Sequence, residues 1–276
     1  MKPPFHHAQI RLGPIEGVHA EALYSARSFG RHWHDSFGFG VMEEGGHRSA
    51  SGRGPVEALA GHIVTSNPGE VHDGVPLDKT TRRWRMIHVA PATMARLVEQ
   101  EGSEFSRPVI EEPALREAIN RVFRCWDELD AAKTATTAAI FEEALTQACG
   151  LLALHHSQRR CEVAAPAALH KVRECLLDRM TDPPDLEQLA HLAALSRFQL
   201  LRQFARWQGL PPFAWLQQQR LRQARQLIAS GSPLAESAAA CGFADQSHLH
   251  RQFTRSFGFT PGQWQRACNS VQDPTP

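Results

Sequence analysis

Arg202 and Arg251 stand 49 residues apart, and each is followed four residues later by another arginine, Arg206 and Arg255. The flanking sequence repeats too. RQFARWQGLPPFAW (202–215) aligns with RQFTRSFGFTPGQW (251–264), so that Gln203, Phe204, Gly209, Pro212 and Trp215 meet Gln252, Phe253, Gly258, Pro261 and Trp264. Near the arginines lie Phe198, Leu201 and Ala205 in the first copy and Gln246, Ser247 and His248 in the second. Arg, Gln and Ser carry the donor and acceptor geometry that base edges in the DNA major groove require, and Phe or Leu can meet a thymine methyl. One polar helix face would be an ordinary solvated surface. Two at a fixed spacing imply a repeated contact with a repeating partner.

Helices must hold these side chains outward. Leu200, Phe204 and Trp207 form an inward stripe in the first copy, as do Leu249, Phe253 and Phe257 in the second. Ser196 and Asp245 are placed to cap the two helices, and Gly209 and Gly258 to stop them. Before each runs an Ala-rich helix, one capped by Asp185 and one opened by Pro233. Ala190, Ala193 and Ala194, and later Ala238, Ala239 and Ala240, are small enough for the close crossing of a helix-turn-helix. A connecting helix over roughly 213–229 spans ~25 Å at 1.5 Å per residue. With the helix widths added, the two reading helices stand ~34 Å apart, one turn of B-DNA.

These two segments resemble the DNA-binding domain of AraC-family transcription regulators, above all over ACGFADQSHLHRQFTRSFGFTP (240–261). The resemblance covers 169–268 and implies double-stranded DNA as partner. Carried onto this chain, it places base contacts at Phe198, Gln199, Leu201 and Arg202 and at Gln246, Ser247, His248 and Arg251. Arg206, His250 and Arg255 then suit phosphates. Leu201 departs from the more usual polar residue at its position. Charge agrees in sign: residues 167–276 hold 12 Lys/Arg against 8 Asp/Glu, whereas the whole chain of 276 residues carries only +1.

The first part is different in texture and holds eleven of the fifteen histidines. The short apolar runs FGFGVM (37–42), HIVTS (62–66) and MIHVA (86–90), separated by Gly and Pro, predict a small β-sandwich or barrel. GRHWHDSFGFGVMEEG (30–45) and GHIVTSNPGEVHDG (61–74) resemble the two cupin motifs, and a cupin is the usual sensor domain of the AraC family. In a metal-binding cupin the matching ligands would be His32, His34 and His72, with a carboxylate at the position occupied here by Gly38. Three imidazoles can still hold Zn²⁺ or Fe²⁺ with open positions. With that carboxylate missing, the expectation is instead a small organic effector, bound through His32, His34, Glu70, His72 and His88, and no resident cofactor. Trp33 and Trp84 are candidates for apolar walls.

Two helices follow. PALREAINRVFRCWDELDA (113–131) sets Leu115, Ile119, Val122, Trp126 and Leu129 along one seam, and TATTAAIFEEALTQACGLLALHH (134–156) does the same with Phe141, Leu145, Ala148, Leu152 and His155. This antiparallel hairpin offers a dimerisation seam or packs on the β domain.

The expected fold class is α+β in two domains, a cupin-like β-barrel with a helical hairpin and an all-α domain with two helix-turn-helix motifs. The boundaries are 1–110 for effector binding, 111–158 for the hairpin, 159–168 for a linker and 169–268 for DNA. The six cysteines form no CxxC pair and are expected to be reduced thiols of a cytoplasmic protein. No secretory leader is expected, and no segment of the ~20 apolar residues of a membrane helix. The function expected is a sequence-specific, effector-responsive, non-enzymatic transcription regulator, homodimeric, with RNA polymerase as a further partner. The alternative is a metal-dependent cupin dioxygenase or isomerase with a helical appendage.

Overall fold

The computed structural model describes residues 5–78, 80–132, 134–159 and 165–272. The chain forms two compact units, residues 1–30 with 34–160 and residues 161–276 together with the short stretch 31–33.

The first unit begins with β1 (His6–Leu12), β2 (Val18–Ser25), β3 (Phe29–His32), β4 (Phe37–Glu44), β5 (Gly46–Ser51) and β6 (Gly54–Leu59). It continues through β7 (Ile63–Ser66), β8 (His72–Pro76), β9 (Arg82–Val89), α1 (Pro91–Val98), β10 (Ser103–Phe105) and β11 (Val109–Ile110). Helices α2 (Pro113–Ala131) and α3 (Ala135–His156) form the hairpin, and β12 (Ser157–Arg159) pairs back on β10. One sheet has the order β1-β2-β9-β4-β7-β11 and the other β3-β8-β5-β6. The three runs expected as strands lie in β4, β7 and β9.

Strand side chains alternate between faces, so each strand of the larger sheet serves two environments. Val18, Ala20, Phe37, Phe39, Val41, Ile87 and Val89 turn one way, into a single apolar core with α2 and α3. The other face carries His19 and Glu21 from β2 opposite His88 and Met86 from β9, then Leu23 opposite Trp84 and Ser25 opposite Arg82. This polar face looks toward the smaller sheet. Arg82 donates to the Gly74 carbonyl of β8 at 3.3 Å, and the Trp84 ring lies 6.4 Å from that of His47 on β5.

The hairpin seam belongs to the apolar core. Leu115, Ile119, Val122 and Trp126 are fully buried, as are Phe141, Leu145, Ala148 and Leu152, while His155 is exposed. The seam therefore offers no surface to a second chain, and the hairpin is part of the β unit. Burying it there covers the sheet face that would otherwise stand in water. With 22 residues and an 18-residue stretch of mean hydropathy 1.2, α3 is long and apolar enough to cross a membrane, contrary to the sequence expectation. Its buried side chains are spent on this core.

Half of the expected linker, residues 160–164, falls outside the described residues, and helix begins again two residues before its end. The second unit holds α4 (Ala167–Asp178), α5 (Leu186–Leu192), α6 (Arg197–Gln208), α7 (Pro212–Ala229), α8 (Leu234–Ala240), α9 (Gln246–Phe257) and α10 (Pro261–Gln272). Pro212 occupies the first turn of α7, where its missing N–H costs nothing. That helix is the hub, touching α4, α6, α8, α9 and α10. Arg220 of α7 donates to the Met180 carbonyl at 2.9 and 2.6 Å, and Trp264 Nε1 donates to the Arg225 carbonyl at 2.9 Å.

Candidate functional site

The two arginine-bearing helices are built alike. On α6 the Ser196 hydroxyl accepts from Gln199 N, and the Gln199 side chain accepts in return from Ser196 N at 2.9 Å. On α9 the Asp245 carboxylate accepts from His248 N at 2.6 Å. Both helices stop at a glycine in the left-handed region, Gly209 at φ 76° and Gly258 at φ 81°. Leu200 and Phe204, and Leu249 and Phe253, are fully buried and fix each helix by its inner face.

The turns preceding them match as well. Leu195 N donates to the Ala190 carbonyl at 3.0 Å, and Phe243 N to the Ala238 carbonyl at 2.9 Å. Left-handed backbone is needed once in each turn, at Ala194 (φ 53°) and Gly242 (φ 73°). Of the six alanines expected in the helix crossings, Ala190, Ala193 and Ala238 are buried. Ala194, Ala239 and Ala240 are exposed, because the turn and the outer side of α8 carry them away from the contact.

Outward from α6 point Phe198, Gln199, Arg202 and Arg206, with Leu201 half-buried. Outward from α9 point Gln246, Ser247, His250, Arg251 and Arg255. Phe198 is 71% exposed, a large apolar side chain in water with the Arg202 guanidinium over its ring at 5.9 Å. Two of the residues expected at bases are engaged locally. Gln199 closes its capping box, and His248 accepts from Ala244 N at 3.4 Å with its ring against Phe243. Neither helix contains an acidic residue, so both outer faces are positive.

Histidines from the first part of the sequence converge. His32, His34 and His72 each offer a nitrogen within 4.8 Å of the others. The ring centroids of His34 lie 5.3 Å from His72 and 5.0 Å from His88. His72 Nδ1 donates to the Glu70 carbonyl at 2.9 Å, and burial pushes its imidazole down from the ordinary value. A Cβ at Gly38 would meet Ser66 Oγ at 2.5 Å and His88 Cε1 at 3.4 Å. The place of the cupin carboxylate is thus filled by a hydroxyl and an imidazole. The set that remains fits a three-imidazole site and not the four-ligand one.

Glu70 turns its side chain elsewhere, into a cleft of about 560 Å³ whose walls include Phe37, Arg53, Asn67, Met94 and Glu104. The histidines do not line this cleft. The sequence reading missed His19, Glu21, His47 and Arg82, all on the polar inner face. The alternation in VHAEALYS (18–25) marks His19 and Glu21 as one face, but nothing in sequence says that His88 lies opposite.

Residues 189–267 match the Helix-turn-helix domain family, and residues 15–148 match the AraC-like ligand binding domain family. The chain belongs to the AraC family. Among its relatives is the HTH-type transcriptional regulator YbfI of Bacillus subtilis, 26% identical over 81% of this chain and 82% of that one. The transcriptional activator RhaS of Citrobacter koseri is 29% identical over 59% of this chain and 58% of its own. The bifunctional transcriptional activator and DNA repair enzyme Ada of Escherichia coli is 33% identical, over 41% of this chain and 33% of Ada. The fold of ToxT from Vibrio cholerae superposes with a TM-score of 0.52 at 10% identity, across 97% of this chain and 98% of that one. This AraC-family chain is accordingly a DNA-binding transcription regulator with a ligand-binding N-terminal domain. These relatives are all named as transcriptional regulators, Ada being a DNA repair enzyme as well.

Proposed function

We propose that the regulator places α6 and α9 in successive major grooves on one side of a duplex, with Arg202 and Arg251 at base edges and Arg206, His250 and Arg255 at phosphates. The observation that carries this reading is the pair of like-capped, acid-free helices mounted on one central helix, α7, which spans ~27 Å at 1.5 Å per residue over its 18 residues. Phe198, Leu201, Gln246 and Ser247 add base contacts, and Gln199 and His248 join once their local hydrogen bonds open. The active form is a homodimer whose interface lies away from the buried hairpin seam, and it works on RNA polymerase at promoters. The test is DNA binding by two variants on a selected site. Arg251→Ala should lose about 1–3 kcal/mol on that site and little on random DNA. Arg255→Ala should weaken both and flatten the salt dependence. Equal losses on both DNAs for both variants would refute the division of roles.

The effector in this reading is a small organic molecule seated at Glu70 in the 560 Å³ cleft, within the ~300–1,000 Å³ range of such sites. Through the 70–72 segment it reaches His72 and, beyond it, His34, His32 and His88. A thermal-shift screen of the full chain should find compounds that raise Tm with concentration and change DNA affinity. Glu70→Ala should abolish the shift. Hits that survive that substitution would place the effector elsewhere.

A further inference from the structure

A second group of ligating side chains lies on the inner face of the larger sheet, apart from His32, His34 and His72. His19 and Glu21 alternate onto one face of β2, and the β2–β9 register sets His88 directly opposite His19. Glu21 Oε1 is 3.5 Å from His19 Nε2 and 3.6 Å from His88 Nε2, and the three ligand atoms all lie within 4.8 Å of one another. We propose that His19, Glu21 and His88 bind a divalent transition-metal ion.

Three observations carry it. The separations are too long for good N–H···O hydrogen bonds, which run ~2.7–3.2 Å. They are close to the edge of a coordination shell, where two ligands each ~2.0–2.1 Å from a tetrahedral ion stand ~3.3 Å apart. Next, Glu21 Oε1 is buried and accepts no hydrogen bond among the described residues, although burying a carboxylate oxygen without a partner is costly. Lastly, the His88 ring is oriented from behind. Ser36 Oγ lies 3.2 Å from His88 Nδ1 and leaves Nε2 facing Glu21, the arrangement that metal-ligating histidines use.

Two imidazoles and one carboxylate prefer Zn²⁺, Fe²⁺, Ni²⁺ or Cu²⁺ to Mg²⁺ or Ca²⁺. The position also has a structural logic. The row His19–His88–Gly38 runs across β2, β9 and β4, and Glu21 follows two residues after His19 on the same face of β2. The site shares His88 with the far end of the path proposed above for the organic effector, and its other two ligands, His19 and Glu21, lie outside that path.

The test uses the full-length chain, stripped by chelator and titrated with Zn²⁺ alone against a competing indicator, with Co²⁺ as a spectroscopic probe. The wild type should bind Zn²⁺ and give Co²⁺ absorption bands in the visible. Both should persist in His72→Ala, whereas Glu21→Gln, nearly the same in shape, should weaken binding by about 10-fold or more. Binding lost in His72→Ala and intact in Glu21→Gln would overturn the assignment, as would no Zn²⁺ binding by the wild type. If Glu21→Gln does not fold, anomalous scattering from Zn²⁺-loaded wild-type crystals decides. An ion at Glu21 and the two imidazoles supports the site, and an ion only at His32, His34 and His72 overturns it.

Discussion

His47 shows at the scale of one residue what the polar interior of the first unit does. Burial, then the positive charges of Arg82 and His72, push its imidazole down to about 4 from the ordinary 6.5. The unfolded chain therefore accepts a proton that the folded chain declines between those two values. Stability rises with pH across that window and is lost as pH falls through it, by roughly 3 kcal/mol over the whole span. His72, lowered mainly by burial, acts in the same direction. Urea melts at pH 7 and pH 4.5 should show a smaller acid loss in His47→Gln than in the wild type. An unchanged loss would mean that His47 titrates normally. Arg82 survives beside it because its guanidinium donates to the carbonyls of Arg27 and Gly74 and lies 4.8 Å over the Trp84 ring. Burial lowers it only to about 10, so it stays charged at neutral pH. None of this was legible in sequence, since neither His47 nor Arg82 stands in a motif. Their proximity comes from strands of two different sheets, β5 and β9, facing each other.

At the scale of elements, the two helix-turn-helix units differ at one residue that matters. Each turn needs a left-handed residue, supplied by Ala194 in the first and Gly242 in the second. A Cβ at Gly242 would also meet Thr181 Cα at 2.8 Å. Gly242→Ala should thus cost about 1–2 kcal/mol from backbone strain, plus the clash. Ala194→Gly should be neutral or stabilising within about 1 kcal/mol, because relief of strain offsets the added freedom of the unfolded chain. Urea unfolding checks both, and a Gly242→Ala variant as stable as wild type would contradict the account of the turn. The helices themselves were legible. Ser196, Asp245, Gly209 and Gly258 are local signals whose hydrogen bonds and φ values close within a few residues. The hairpin was legible as helices but not in its use. A seam of Leu115, Ile119, Val122 and Trp126 has the same pattern whether it meets another chain or a sheet, and here the sheet's own apolar face, Phe39 and Ile87 included, supplies the partner. The same limit applied to β1, β2, β5 and β8, where short strands mix polar and apolar residues because one face lines a polar interior.

For the whole molecule, the division of labour follows from two different units, one with a polar, histidine-rich sheet face beside its apolar core and one with a mainly apolar interior crossed by α7. The central claim is that the second unit reads DNA twice. The measurement that tests it most directly is methylation protection on a selected site, made with the full chain and with Arg202→Ala and Arg251→Ala. The account predicts two protected major-groove segments per bound chain, one helical turn (~10.5 base pairs) apart. Arg202→Ala should lose protection in one segment and Arg251→Ala in the other. A single protected segment per chain, or the same segment lost in both variants, would contradict it.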